Sequence, residues 1–176
     1  MTNKSAKGRK SAIVAVIAGT KSEEVIKYIQ KIPLSKRRKV IEITLDMAGS
    51  MKLIATKCFP KAKQVTDRFH VQKLALEALQ EIRIKYRWEA IDIENEAIAK
   101  AKTSMKSYKP ILLENGETPR QILARGRYLL YKTREKWTVN QKERAKVLFE
   151  NYPDIETAYN LNQKLRQIYE TKKGKD

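Results

Sequence analysis

The apolar positions begin with an unbroken run. Residues 12–18 read Ala-Ile-Val-Ala-Val-Ile-Ala between Ser11 and Gly19. A short, uncharged, β-branched run closed by glycine predicts a buried strand over 11–19. Thr20 and Glu23 have the spacing of a capping box. Val25, Ile26, Ile29 and Ile32 then recur at helical intervals as far as Pro33, which cannot continue a helix. A basic loop, Lys36-Arg-Arg-Lys39, follows. From Val40 to Asp46 the period drops to two, with Ile41, Ile43 and Leu45 alternating with Glu42, Thr44 and Asp46. Met47, Met51, Ile54, Ala55 and Cys58 then form one stripe of a short helix that Pro60 breaks. Gln64 to Phe69 reads as a third strand. Residues 11–69 thus spell β-α-β-α-β, with crossovers long enough for parallel pairing, which is an α/β signature.

The pattern changes at Val71. Val71, Leu74, Ala78, Ile82 and Tyr86 keep helical spacing, and no breaker occurs before Ser107, so one long helix is predicted. Thr118-Pro-Arg-Gln121 is a capping box with proline at the first helical position, and Thr138-Val-Asn-Gln141 is another. Pro153 opens a last helix carrying Ile155, Ala158, Tyr159, Leu161, Leu165 and Ile168. The expected organisation is an α/β segment over 11–70, an all-α segment over 71–171, and flexible tails at 1–10 and 172–176.

Charge narrows the function. Thirty-eight Lys and Arg against 20 Asp and Glu give a net charge of +18. So basic a chain points to a polyanionic partner, because neutralising phosphates releases counterions. The 12–19 run is far too short to span a bilayer, so no membrane role is expected. Met1 is followed by Thr-Asn-Lys-Ser, without the apolar stretch of a secretory signal. Cys58 stands alone, which excludes a disulfide within the chain and fits a reducing, cytoplasmic compartment.

Few residues offer chemistry. Asp46 ends an amphipathic strand just before a helix, the end at which parallel sheets gather ligands. Its carboxylate there reads either as a divalent-metal ligand or as a helix N-cap, and the residues alone favour the cap. Asp67 and the sole histidine, His70, close the next strand in Asp67-Arg-Phe-His70, suggesting a metal site or general base, or simply a hydrogen-bonded histidine at a helix start. Glu89, Asp92 and Glu96 share a helix, but Lys85 and Lys100 lie four residues from Glu89 and Glu96, so a solvated face is expected. Residues 119–150 hold nine cations (Arg120, Arg125, Arg127, Lys132, Arg134, Lys136, Lys142, Arg144 and Lys146) against Glu135, Glu143 and Glu150, interleaved with Tyr128, Tyr131 and Trp137. This predicts a nucleic-acid surface in which most arginines face DNA and most aromatics pack inside.

Three longer stretches are more specific: Val40-Ile-Glu-Ile-Thr-Leu-Asp-Met-Ala-Gly-Ser-Met51, Cys58-Phe-Pro-Lys-Ala62, and Val65-Thr-Asp-Arg-Phe-His-Val-Gln-Lys73. Together with Arg83-Ile-Lys-Tyr-Arg-Trp-Glu-Ala90, Leu113-Glu-Asn-Gly116, Leu123-Ala-Arg-Gly-Arg-Tyr-Leu-Leu-Tyr-Lys132 and the Tyr152-Pro-Asp region, they resemble insertion-sequence transposases of the ISL-three family over nearly the whole chain. The resemblance implies a DDE recombinase, in which three carboxylates on an RNase H-like fold hold two Mg²⁺ or Mn²⁺ ions for phosphodiester cleavage and strand transfer.

On that resemblance Asp46 matches the family's second acidic residue and becomes a catalytic metal ligand rather than a cap, with Asp67 and His70 in support. The implied partners are DNA at transposon ends and either a second copy or full-length transposase, in a nucleoid-associated setting. The family's first Asp and last Glu are expected upstream of Met1 and beyond Asp176. The chain is therefore read as a partial RNase H-like core followed by a helical insertion subdomain, inactive alone. The family's sheet has strand order 3-2-1-4-5. This chain is expected to supply strands 3, 4 and 5, leaving strand 11–19 without a direct neighbour. The rival readings are a non-catalytic basic DNA-binding protein and an RNA- or ribosome-associated one, for which no recognition motif is found.

Overall fold

A computed structural model describes residues 1–10 and 12–170, and the chain divides into two units, Met1–His70 and the residues from Val71 on. The first unit is built on a parallel pair of strands, β1 (Glu42–Leu45) and β2 (Lys63–Thr66), with Glu42 opposite Lys63 and Leu45 opposite Thr66. Two helices precede β1, α1 (Ser22–Gln30) and the single turn α2 (Leu34–Arg37), and α3 (Gly49–Cys58) crosses over between the strands. The stripe read along 47–58 explains the packing. Ile54 and Cys58 turn inward to meet Ile29 of α1 and Phe59, while Val25, Ile26, Val40, Ile43 and Met51 close around them. Burying each such side chain stabilises by roughly 1.5–3 kcal/mol. Met47, placed on the same stripe by its spacing, is exposed because the helix begins two residues later.

Four expectations for this unit are corrected. The run over 12–18 is not a buried strand. It makes one isolated antiparallel bridge, Thr2 to Ile13, with the Asn3 amide donating to the Ala12 carbonyl at 2.7 Å. Ile13 is 66% and Val16 87% exposed, and only Ile17 reaches the core. The described sheet has two strands, so this run has no neighbour with which to form a ladder. Thr20 does not cap α1: the N-cap is Lys21, without a side-chain bond, and Glu23 and Glu24 in the first turn complement the helix dipole instead. The basic loop at 36–39 is partly helical, because Pro33 presets the start of α2. Finally, β2 ends at Thr66 and a helix begins at Arg68, which moves Phe69 and His70 out of the strand.

That helix, α4 (Arg68–Thr103), is the 36-residue element expected from the unbroken period after Val71. The second unit adds α5 (Pro119–Leu129), α6 (Val139–Asn151) and α7 (Pro153–Glu170). The two capping boxes anticipated in this unit form. The Thr118 and Thr138 hydroxyls accept from the amides of Gln121 and Gln141, whose side chains accept in return from the threonine amides. Ile122, Leu123, Leu129, Leu130, Leu148, Ile155 and Tyr159 form a core closed to solvent, with Leu79 of α4 within it. Gly126 lets α5 approach α6, since a Cβ there would lie 3.1 Å from Leu148 Cδ2. The expected tail at 172–176 lies outside the described residues.

Candidate functional site

Parallel pairing sets the geometry at the C-terminal end of the sheet. Leu45 is opposite Thr66, and the Asp67 amide extends the ladder by donating to the Leu45 carbonyl at 2.6 Å. Asp46 and Asp67 therefore leave adjacent strands side by side. Each makes the same local turn: Asp46 Oδ1 accepts from the Ala48 amide and Asp67 Oδ1 from the Phe69 amide, both at 3.0 Å. Asp side chains favour such turns because they bond the backbone two residues ahead. The helix-cap reading of Asp46 is thus corrected. The N-cap of α3 is Ala48, and Asp46 instead fixes the bend between β1 and that helix. Both carboxylates are half-buried.

His70 joins this end from the first turn of α4. Its amide donates to the Asp67 carbonyl at 3.1 Å, and its ring meets Phe69 edge to face at 5.7 Å. The chemistry of the donor set can be tested against a divalent metal. Mg²⁺ is usually held through one or two carboxylates together with water and substrate phosphates, and Asp46 and Asp67 can offer that pair. No group of three or more His, Cys, Asp or Glu placed to hold a metal exists among the described residues. The pair fits part of a two-metal site and not the whole of one. Glu89 and Glu96 pair with Lys85 at 4.0 Å and Lys100 at 3.7 Å on an exposed face, as their spacing predicts.

The cations expected to face DNA sort into two groups. Arg125 and Arg144 both close on Glu117, at 2.6 and 2.9 Å, and Asn115 donates to the same carboxylate at 2.9 Å. Burial pushes the Glu117 carboxyl up, but the bonds from Arg144, Arg125 and Asn115 outweigh it and hold it at about 2. Arg134 bonds Glu156 at 3.2 Å and Asn160 at 2.9 Å, and its guanidinium lies 5.7–5.9 Å from the ring centres of Tyr159, Phe149 and Trp137. Arg120 pairs with Glu94 at 3.4 Å, and Lys132 donates to Gln141 at 3.2 Å. Arg127, Lys136 and Lys142 are exposed without an ion pair among the described residues. Of the interleaved aromatics, Trp137 is buried, whereas Tyr128 and Tyr131 are exposed, against expectation.

Two features escaped the sequence reading. Glu117, itself buried, is the centre of an ion-pair network, although nothing in its sequence neighbourhood distinguishes it from Glu114. The charge is also concentrated in the first unit. Up to His70 there are sixteen Lys and Arg against five Asp and Glu, a net +11; beyond it there are 22 against 15, a net +7. Counting charge by segment would have found this.

No helix among the described residues is long and apolar enough to cross a membrane. No curated protein matches the chain, and no solved structure does. A family model described as transposase, that of the DDE enzymes of ISL-three insertion sequences, matches residues 1–176. The chain belongs to the ISL-three transposase family.

Proposed function

We propose that this chain is the central part of a DDE transposase catalytic domain of RNase H-like topology, in which Asp46 is a metal-holding catalytic carboxylate. The observation that carries the reading is the pairing of Asp46 with Asp67 at the C-terminal end of two parallel strands. A strand-end carboxylate beside a second one suits a divalent ion placed against a phosphodiester. When bound, Mg²⁺ or Mn²⁺ supplies positive charge to the phosphate and acidifies a bound water. The chain's own contribution is orientation. The turns to Ala48 and Phe69 fix one oxygen of each carboxylate at the sheet end, and His70 anchors the start of α4 to Asp67. Two carboxylates fall short of the three that DDE chemistry uses, so this pair is an incomplete site and the chain is read as silent by itself. DNA at transposon ends is the substrate, and a second copy or full-length transposase is the protein partner.

Incubating the purified chain with element-end DNA and Mg²⁺ or Mn²⁺ tests this. No strand cleavage is expected. Cleavage that disappears in Asp46→Ala would overturn the partial-domain reading while leaving Asp46 catalytic. A second reading, a non-catalytic DNA-binding protein, is favoured by the exposed, unpaired Arg127, Lys136 and Lys142. It predicts DNA binding that divalent metal and Asp46→Asn leave unchanged.

A further inference from the structure

The opposite end of the same sheet carries the contrary charge. The segment leading into β1 holds Lys36, Arg38 and Lys39, and the segment leading into β2 holds Lys57, Lys61 and Lys63. The fold brings the two segments together. Arg37 Nη1 donates to the Cys58 carbonyl at 2.6 Å while its Nε donates to the Ile32 carbonyl at 2.9 Å, and the Lys63 amide donates to the Ile41 carbonyl at 2.7 Å. Arg37 is therefore spent on stitching the segments. The other six are exposed, and none forms an ion pair with a described residue. No acidic residue lies in 34–41 or 47–66. Glu42, in register with Lys63, is the one carboxylate at this end of the two strands, so the two joined segments keep an excess of positive charge that favours an anion spanning both.

We propose that this basic end of the first unit is a docking surface for the phosphate backbone of duplex DNA, separate from the carboxylate end. The identification of the polyanion as DNA rests on the transposase reading; the surface itself rests on the geometry. The strands between the two ends are four residues long, roughly 13 Å at about 3.3 Å per residue. A phosphate on the basic end is thus too far from Asp46 to be the one attacked. The surface holds a neighbouring stretch of backbone, and it supplies affinity without reading bases. The second unit contributes less than its composition suggests, because Arg125, Arg134 and Arg144 are occupied internally.

The test is the salt dependence of binding by the full chain to a random-sequence DNA duplex. Each phosphate contact contributes about 0.9 to the slope of log K against log salt. The variant Lys36→Gln/Arg38→Gln/Lys39→Gln/Lys61→Gln removes four exposed cations and no core contact. Its slope should fall by about 3, with an affinity loss of tenfold or more near ~100 mM salt. The control Arg127→Gln/Lys136→Gln/Lys142→Gln should lose less. An unchanged slope in the first variant, with its thermal melting intact, would overturn the surface and leave the transposase reading standing. A chain that binds no duplex at low salt, or prefers single-stranded RNA, would overturn both.

Discussion

Arg144 holds Glu117 with two nitrogens. Its Nε lies 3.1 and 3.0 Å from the two carboxylate oxygens, and Nη2 lies 2.9 Å from Oε1. Such a forked pair fixes orientation as well as charge. It ties α6 to the loop before α5, and Arg125 closes the same carboxylate from α5 itself. The contact has a pH signature. Glu117 is held at about 2 in the fold against an ordinary 4.5, so the folded state binds the proton more weakly than the unfolded one. Its stabilisation is full above about pH 4.5 and is lost as pH falls toward 2, amounting to roughly 3 kcal/mol if the whole shift is realised. Urea titrations of the helical unit from pH 6 to 2 should show this loss. Glu117→Gln should flatten the loss and cost about 2 kcal/mol or more at pH 7 by leaving Arg144 half-buried without its partner.

Gly126 and Leu148 make a second measurable pair. Alanine at 126 gains up to ~1 kcal/mol of helix propensity, yet its Cβ would press to 3.1 Å on a leucine side chain that is closed to solvent on all sides. Leu148→Ala alone should cost about 2–5 kcal/mol through the cavity it leaves. The expected outcome is that Gly126→Ala destabilises the native chain by about 1 kcal/mol and stabilises the Leu148→Ala background. Equal effects in both backgrounds would show that α5 and α6 are not in contact at this point.

The carboxylate pair predicts where a metal is felt. Titrating Mn²⁺ into isotope-labelled chain should broaden amide signals at 46–48 and 67–70 before any others, at millimolar rather than micromolar metal, since two carboxylates form an incomplete ligand set. Asp46→Asn with Asp67→Asn should abolish the selective broadening. Broadening centred on Glu89 or Glu96 instead would remove Asp46 from the site.

The helices of this chain were legible because their signals are local. Capping boxes at Thr118 and Thr138, proline at 119 and 153, and the unbroken period after Val71 each act within one or two turns. The parallel pair was legible from the alternation at 40–46 and the crossover length. Its consequence, Asp46 beside Asp67, needed the register, which periodicity cannot supply. The apolar run at 12–18 misled because hydrophobicity marks a wish for burial and not its achievement; a strand also requires a neighbour, and the described sheet offers none. The cations of 119–150 misled in another way. Arg125, Arg134 and Arg144 meet Glu117 and Glu156 only after folding, at sequence separations of 8 to 27 residues.

That same run carries the last prediction. Between Ala12 and Ala18 the backbone is tied down by bonds to Met1 and Asn3: the Val14 amide donates to the Met1 carbonyl at 3.0 Å, and the Asn3 amide to the Ala12 carbonyl at 2.7 Å. Local anchors of this kind open without disturbing a core, so amides there should exchange within seconds to minutes. Amides of α5, α6 and α7 lie over Ile122, Leu148, Ile155 and Tyr159, all closed to solvent, and should exchange only through unfolding of the second unit. An exposed, uncharged, β-branched run is also a pairing hazard, since nothing on it blocks another strand. Replacing Val14 and Val16 with Lys should therefore raise the concentration at which the purified chain stays monomeric, and leave its thermal unfolding within about 0.5 kcal/mol of the parent. Slow exchange throughout 12–18 in a monomer, or a large loss of stability in the lysine variant, would show that this run is buried in solution after all.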